Sequence, residues 1–247
     1  MISHTEAIVF RTVDYQESSK IVTVFSREHG KIALMVRGAK KPKSKFSGLI
    51  EVGNMLDVVY YYKSSRSVQI LSEASYQQKT MNLRTNFEKM ATMTSAIELI
   101  SQLLHDNEVN EPLFDFTQKM LVWLDRTDVH PPVIFPYLQI RLAELTGVGL
   151  QLDAGESLEE MNYLNIESGL VSTRNISSHS YKLSSRQAKF ITIALQARSS
   201  TLFDISFESG ELKGLIKLLD RYFKYHVEGL KDRKSDAIFE QILQETP

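Results

Sequence analysis

Hydrophobic and polar positions along the chain change period near residue 80. Before that point, short runs rich in β-branched and aromatic residues read as strands: Ala7 to Tyr15, Lys20 to Ser26, Lys31 to Arg37, Met55 to Tyr62 and Ser67 to Tyr76. His29-Gly30 supplies the turn between the second and third, because glycine accepts a positive φ without steric cost. Five strands with no long helix among them predict a small closed barrel, in which closure removes the exposed edges.

Beyond residue 80 the apolar spacing is helical. Thr85 and Glu88 have the spacing of a capping box ahead of Phe87, Met90, Ile97, Ile100 and Leu104. Asn110 and Pro112 open a second helix that carries Phe116, Met120, Trp123 and Leu124 at core spacing, which gives Trp123 no separate role. A third starts at Pro132, runs through Phe135, Leu138, Leu142 and Leu145, and stops at Gly147. Residues 148–182 lose the period and hold two short candidate strands, Met161 to Ile166 and Gly169 to Thr173. Helices resume at Ser184, with a capping box to Gln187, and reach about Arg198; another spans Glu211 to about Val227, and a short one follows Ser235. The expectation is an α+β chain: a five-stranded OB-type β-barrel over residues 1–80, then an α-helical domain over 81–247 with an irregular insertion at about 148–182.

The 247 residues are 43% hydrophobic and 24% charged, the balance of an ordinary soluble globular protein. The absence of cysteine removes disulfides and thiolate metal sites and fits a reducing compartment. The N-terminus lacks a signal-peptide pattern and no apolar run approaches the roughly 18 residues of a spanning helix, so the expected location is the cytoplasm, away from membranes. Net charge is only −1, yet the first 80 residues carry 12 Lys/Arg against 7 Asp/Glu. A basic head on an acidic remainder points to a polyanion partner for the head.

Catalytic signatures are missing. No two of the six histidines have the i, i+4 spacing of paired ligands, and no Gly-rich loop ends in Gly-Lys-Ser/Thr. Gly147-Val148-Gly149 follows a helix, where it reads as a helix stop, and Glu159-Glu160 lacks a supporting pattern. The reading is a protein without catalytic residues, metal or cofactor. What stands out is Arg37-Gly38-Ala39-Lys40-Lys41-Pro42-Lys43-Ser44-Lys45, five cations without an acid, expected as a mobile loop between strands three and four. Phosphates are its natural partner, since neutralising each one releases condensed counterions. In OB-type barrels the 1–2 and 4–5 loops flank the binding face, and here they hold Lys20 and Lys63/Arg66; Arg27 and Lys31 complete the candidate set. Phe46, Tyr60, Tyr61 and Tyr62 are candidates for stacking on bases, although strand alternation sends Tyr60 and Tyr62 to one face and Tyr61 to the other, so at least one belongs to the core. Lys231, Arg233 and Lys234 read as a solvated loop beside a helix.

Three stretches carry a family resemblance: "SSKIVTVFS" with "HGKI" and the basic run, "LQIRLAELTGVGLQLD", and "GLKDRKSDAIFEQIL". Together they resemble RecO, the bacterial recombination mediator family. The resemblance implies an OB-fold joined to a helical domain, binding of single- and double-stranded DNA, and annealing of complementary strands. It also implies work with RecR to help RecA displace single-strand-binding protein (SSB), whose acidic C-terminal tail would be recognised. Phe135, Tyr137 and Arg141 are candidates for that tail's pocket, with core packing as their competing reading. Many members hold a structural zinc with four cysteines in the region matching 150–180. This chain has none there, and Leu150, Leu152, Met161, Tyr163, Leu164 and Ile166 are the expected apolar replacement. Competing readings are an RNA-binding module on the same barrel, a protein-interaction scaffold and a metal-independent hydrolase, the last without a nucleophile–base pair to support it.

Overall fold

A computed structural model describes residues 1–154, 161–196, 200–208 and 210–235. Five strands, β1 (Ile2–Tyr15), β2 (Ser19–Ser26), β3 (Gly30–Val36), β4 (Met55–Tyr61) and β5 (Val68–Gln78), close into a barrel in the order β1-β2-β3-β5-β4. All neighbours are antiparallel except β3 and β5, which run parallel. This is the OB-type arrangement that the sequence implied. Alternation fills the interior: Ala7 and Val9, Val22 and Val24, Ile32, Leu34 and Val36, and Leu56, Val58 and Tyr60 form one buried cluster.

The intervening residues Ile8, Phe10, Phe25 and Met55 are buried too, on the outside of the barrel. Helices α1 (Phe87–Leu103) and α2 (Glu111–Arg126) supply the cover. The Phe25 ring meets Phe10 at 5.6 Å and Phe114 of α2 edge-on at 5.3 Å. Each fully buried aromatic contributes about 1.5–3 kcal/mol relative to exposure. Gly53 seats against Met93 of α1, where a Cβ would stand 2.3 Å from Sδ. These contacts draw both helices onto the barrel, so the first compact unit is Met1–Asp128 and the second Val129–Pro247. The change from strands to helices near residue 80 is therefore not where the compact units divide.

Helix α1 is capped by Asn86, whose side chain accepts from the Lys89 N–H; Thr85 instead donates its hydroxyl to the Asn82 carbonyl. The expected Thr85 cap is thus displaced by one residue, to a better capping side chain. Asn110 caps α2 as expected, accepting from the Leu113 N–H at 3.0 Å with Pro112 in the first turn.

In the second unit, α3 (Ile134–Leu145), α4 (Ser185–Gln196) and α5 (Glu211–His226) accompany a four-stranded sheet in the order β6-β8-β7-β9 and a short 3-10 turn, Ser200–Asp204. The strands are β6 (Gln151–Leu152), β7 (Tyr163–Asn165), β8 (Leu170–Ser172) and β9 (Ser180–Lys182). The Ser184–Gln187 capping box is reciprocal: Gln187 N–H donates to Ser184 Oγ at 3.2 Å, and Ser184 N–H to Gln187 Oε1 at 3.0 Å. Strands β6 and β9, two or three residues long, have no period to read and were not foreseen. The Glu159-Glu160 pair, the helix end near Arg198 and the short helix after Ser235 lie outside the described residues.

Four of the six expected cluster residues, Leu150, Met161, Leu164 and Ile166, are buried in this region, with Leu152 and Tyr163 half-buried. A polar knot reinforces them. Asn165, 2% exposed, donates to Ser177 Oγ and Ser180 Oγ and accepts from the backbone N–H groups of Glu167 and Ser168 and from Ser168 Oγ. In the region where the resemblance implies a zinc for other members, this chain ties its turns together with one amide.

Candidate nucleic-acid interface

The basic segment between β3 and β4 is built of successive turns. Ser44 N–H donates to Lys41, Ser47 to Ser44 and Leu49 to Phe46, each backbone bond spanning three residues. It is pinned at several points, contrary to the expected mobile loop. Phe46 and Ile50 join the buried barrel cluster, Thr12 Oγ1 donates to the Ile50 carbonyl at 2.6 Å, and Asn54 Nδ2 holds the Gly48 and Leu49 carbonyls. Charge repulsion and the Gly and Pro content gave no hint of this, because the anchoring residues lie just past the cations.

The cations then sort by partner. Lys40 N–H donates to Ser18 O in the β1–β2 turn, and its ammonium pairs with Asp14 at 3.0 Å; Lys20 reaches the same carboxylate at 3.6 Å. The hydrogen bond from Lys40, with Lys20 adding to it, holds the Asp14 carboxyl below its ordinary range. Lys45 donates to the Ser72 carbonyl at 3.1 Å and lies over the Phe46 ring. Arg37, Lys41 and Lys43 are exposed, and their side chains make no hydrogen bond or ion pair among the described residues. The turn stack therefore presents three unpaired cations beside a two-lysine clamp on one acid.

Strand register adds a feature that the sequence reading missed. Val13 pairs with Ile21, Ile21 with Met35, Met35 with Ile70, Ile70 with Tyr61 and Tyr61 with Ile2. Directly opposed residues share a face. These six form one apolar band around the outside of the barrel, out of phase with the interior set. Tyr61 is 49% exposed, Val13 37%, and Ile21, Met35 and Ile70 are half-buried. The apolar runs on both parities of β2 were the available signal, but only the register aligns them across five strands.

Lys63 and Arg66, in the β4–β5 connection, are exposed and without side-chain partners among the described residues. They precede Val68, which pairs with Ala33, whereas Arg37 follows the other end of β3. The candidate cations thus stand at both ends of the band. Arg27 and Lys31 do not join them. Arg27 binds Glu6 at 2.9 Å and Asp115 of α2 at 2.8 Å and lies 4.5 Å over the Phe114 ring. Lys31 Nζ donates to the carbonyls of Ser101 and Leu104, neutralising the C-terminus of α1. Both attach helices to the barrel.

The aromatic candidates also divide. Tyr60 is fully buried with its hydroxyl hydrogen-bonded to His29 Nδ1 at 2.8 Å, Tyr62 stacks on His29 at 4.2 Å, and Phe46 is core. Only Tyr61 presents its ring outward. In the second unit the tentative tail pocket fails at its centre: Phe135 is 0% exposed, so a peptide has no access to its ring. Tyr137 packs edge-on against Phe203, and Arg141 pairs with Glu144 one turn along α3. Arg233 is not solvated as expected; it is buried over Phe135 and forks onto Asp220 at 2.6 and 2.9 Å. Among the described residues no group of His, Asp and Glu side chains is placed to hold a metal ion, and no helix is long and apolar enough to cross a membrane.

The fold defines a class: an α+β chain on an OB-type barrel whose uncovered face is apolar between cationic ends. Its sequence matches the family "Recombination protein O N terminal" over residues 1–79 and "Recombination protein O C terminal" over residues 84–236. The chain belongs to the RecO family of DNA repair proteins. It is similar to "DNA repair protein RecO" of Chlorobium limicola, 29% identical over 98% of this chain and 99% of the relative, and to that of an Exiguobacterium species, 29% identical over 99% and 98%. The Salinibacter ruber protein of the same name is 36% identical over 62% of this chain and 58% of the relative.

Proposed function

We propose that this chain binds single- and double-stranded DNA chiefly through phosphates, anneals complementary strands without turning over a substrate, and acts with RecR to help RecA load onto SSB-coated strands. Its place of action is the cytoplasm, at the nucleoid. The observation that carries the DNA reading is the pinned turn stack with unpaired Arg37, Lys41 and Lys43, next to an apolar band that helices leave uncovered. Phosphates neutralised on the cations release counterions, while bases lie against Tyr61 and the aliphatic row without base-specific readout. Such contacts suit annealing: cations lower the repulsion between two backbones, and loose base contacts leave pairing edges available. The RecR, RecA and SSB steps are proposed from the family resemblance alone, and no residue of this chain is assigned to them.

The test mixes two complementary oligonucleotides carrying a donor and an acceptor dye, without nucleotide triphosphate. The expected result is acceleration of pairing by the wild-type protein and loss of most of it in R37Q/K41Q/K43Q. Equal pairing rates with and without protein would overturn the annealing proposal.

A further inference from the structure

The second unit carries a cationic groove of its own, of about 250 Å³, lined by β9, α4 and α5. Its cations are Lys182 of β9 and Lys217 and Arg221, one turn apart on α5, and among the described residues no acidic side chain lines it. Lys182 and Arg221 are exposed, and neither side chain makes an ion pair or a hydrogen bond among the described residues. The elements behind them are fastened to one another. Tyr181 of β9 pairs with Leu164 of β7, and the Arg221 guanidinium lies 4.8 Å over the Tyr181 ring. Gln187 of α4 accepts from the Ser184 N–H at 3.0 Å and donates to the Glu211 carbonyl at 2.7 Å, which ties the start of α4 to the start of α5.

Such a groove recognises charge and little else. One face of the Tyr181 ring is taken by Arg221, Leu218 is half-buried, and the Gln187 amide is engaged at both ends. A guanidinium laid flat on an aromatic ring keeps its N–H edges for an acceptor and loses little freedom on binding one. A single strand would bring unstacked bases that this lining leaves without partners. An acidic peptide would bring backbone amides that it leaves equally unmet. A duplex turns its bases inward and presents phosphates, which unpaired cations on fixed elements can hold without reading sequence. We infer that this groove is a contact for the backbone phosphates of double-stranded DNA, held by Lys182 and Arg221. The inference rests on the DNA-binding proposal above and divides it: single strands on the barrel, where Tyr61 and the apolar band meet bases, and duplex on the second unit.

The test uses the full chain, a dye-labelled blunt duplex and its labelled single strand, with anisotropy read across a salt series. K182Q/R221Q should bind the duplex more weakly, with a log–log salt slope shallower by about 1.8, two contacts at about 0.9 each. Its slope for the single strand should equal that of the wild type. R221K keeps the charge and should retain the wild-type duplex slope, which separates a phosphate contact from a purely structural role of Arg221 on Tyr181. An unchanged duplex slope in K182Q/R221Q overturns the groove while leaving the DNA reading intact. An equal loss on duplex and single strand overturns the division between the units. Binding of a short acidic peptide that K182Q/R221Q abolishes, with duplex binding unchanged, assigns the groove to a protein and also overturns it. No binding of either DNA by the wild type overturns the DNA reading itself.

Discussion

The Lys40 ammonium stands 3.0 Å from the Asp14 carboxylate, at the point where the basic turn stack meets the β1–β2 turn. Lys20 shares the same acid, so Asp14 neutralises part of the charge this end of the barrel would otherwise offer to phosphate. On the proposal that these lysines meet phosphate, the carboxylate would compete with DNA for both.

D14N should therefore bind single-stranded DNA several-fold more tightly, with a salt slope steeper by about 0.7–1.4 as one or two lysines turn to phosphate. The pH dependence has a defined sign. The folded-state pKa of Asp14 is depressed by Lys40, so its pairing contribution is complete above the ordinary aspartate value and is lost as pH falls through the lower folded value. Wild type and D14N should still differ at the ordinary aspartate value and converge only as pH falls through the depressed Asp14 value below it. Anisotropy titrations of both proteins across salt and pH check this; a D14N protein that binds more weakly would contradict it.

Arg27 serves packing. R27A should lower the stability of the barrel–helix unit by about 1–2 kcal/mol, through loss of two partly exposed ion pairs and the contact with Phe114. Its salt slope for DNA should equal that of the wild type. Denaturant melts together with the salt series separate the two roles, and a slope change without a stability change would return Arg27 to the DNA face.

In the second unit, removing Arg233 leaves Asp220 without its two-pronged partner. R233A should cost about 3–5 kcal/mol, more than the double variant R233M/D220N, which removes both charges together. Chemical denaturation of the single and double variants measures it. Equal destabilisation in all of them would show that packing on Phe135, and not the ion pair, sets the cost.

Asn165 holds five hydrogen bonds from one buried side chain. N165A should destabilise the second unit by about 2–4 kcal/mol, because the freed backbone N–H groups lose a common acceptor. A strong chelator should leave the wild-type melting temperature unchanged, as expected of a region without thiolates. A chelator-induced drop would mean that a metal, held by oxygen or nitrogen ligands, contributes after all.

How legible these features were depended on the range of the signal that encodes them. The five strands, the Asn110 cap and the Ser184–Gln187 box are local patterns of alternation or capping, and they read directly, whereas the OB-type order is implied only by the resemblance. The basic run was also legible as charge. Its anchoring was not, because Phe46, Ile50 and Asn54 act through contacts with β1 and with the barrel interior. Arg27 and Lys31 look like any other barrel cations until α1 and α2 are docked beside them. The apolar band needs the register of five strand pairs at once, and no window of sequence contains Val13, Ile21, Met35, Ile70 and Tyr61 together. Trp123 misled in the other direction: its core spacing with Met120 is real, but it falls at the edge of the buried stripe.

The central claim, that DNA is held by the turn stack between β3 and β4, is tested most directly by one titration. A labelled single-stranded oligonucleotide is bound by wild type and by R37Q/K41Q/K43Q across a series of salt concentrations, after melting curves establish that both are folded. These three side chains have no partners in the described structure, so their loss should leave stability within about 0.5 kcal/mol. The account predicts weaker binding and a log–log salt slope shallower by about two, three contacts at about 0.7 each. Unchanged affinity and slope would contradict it and leave the turn stack as solvated surface.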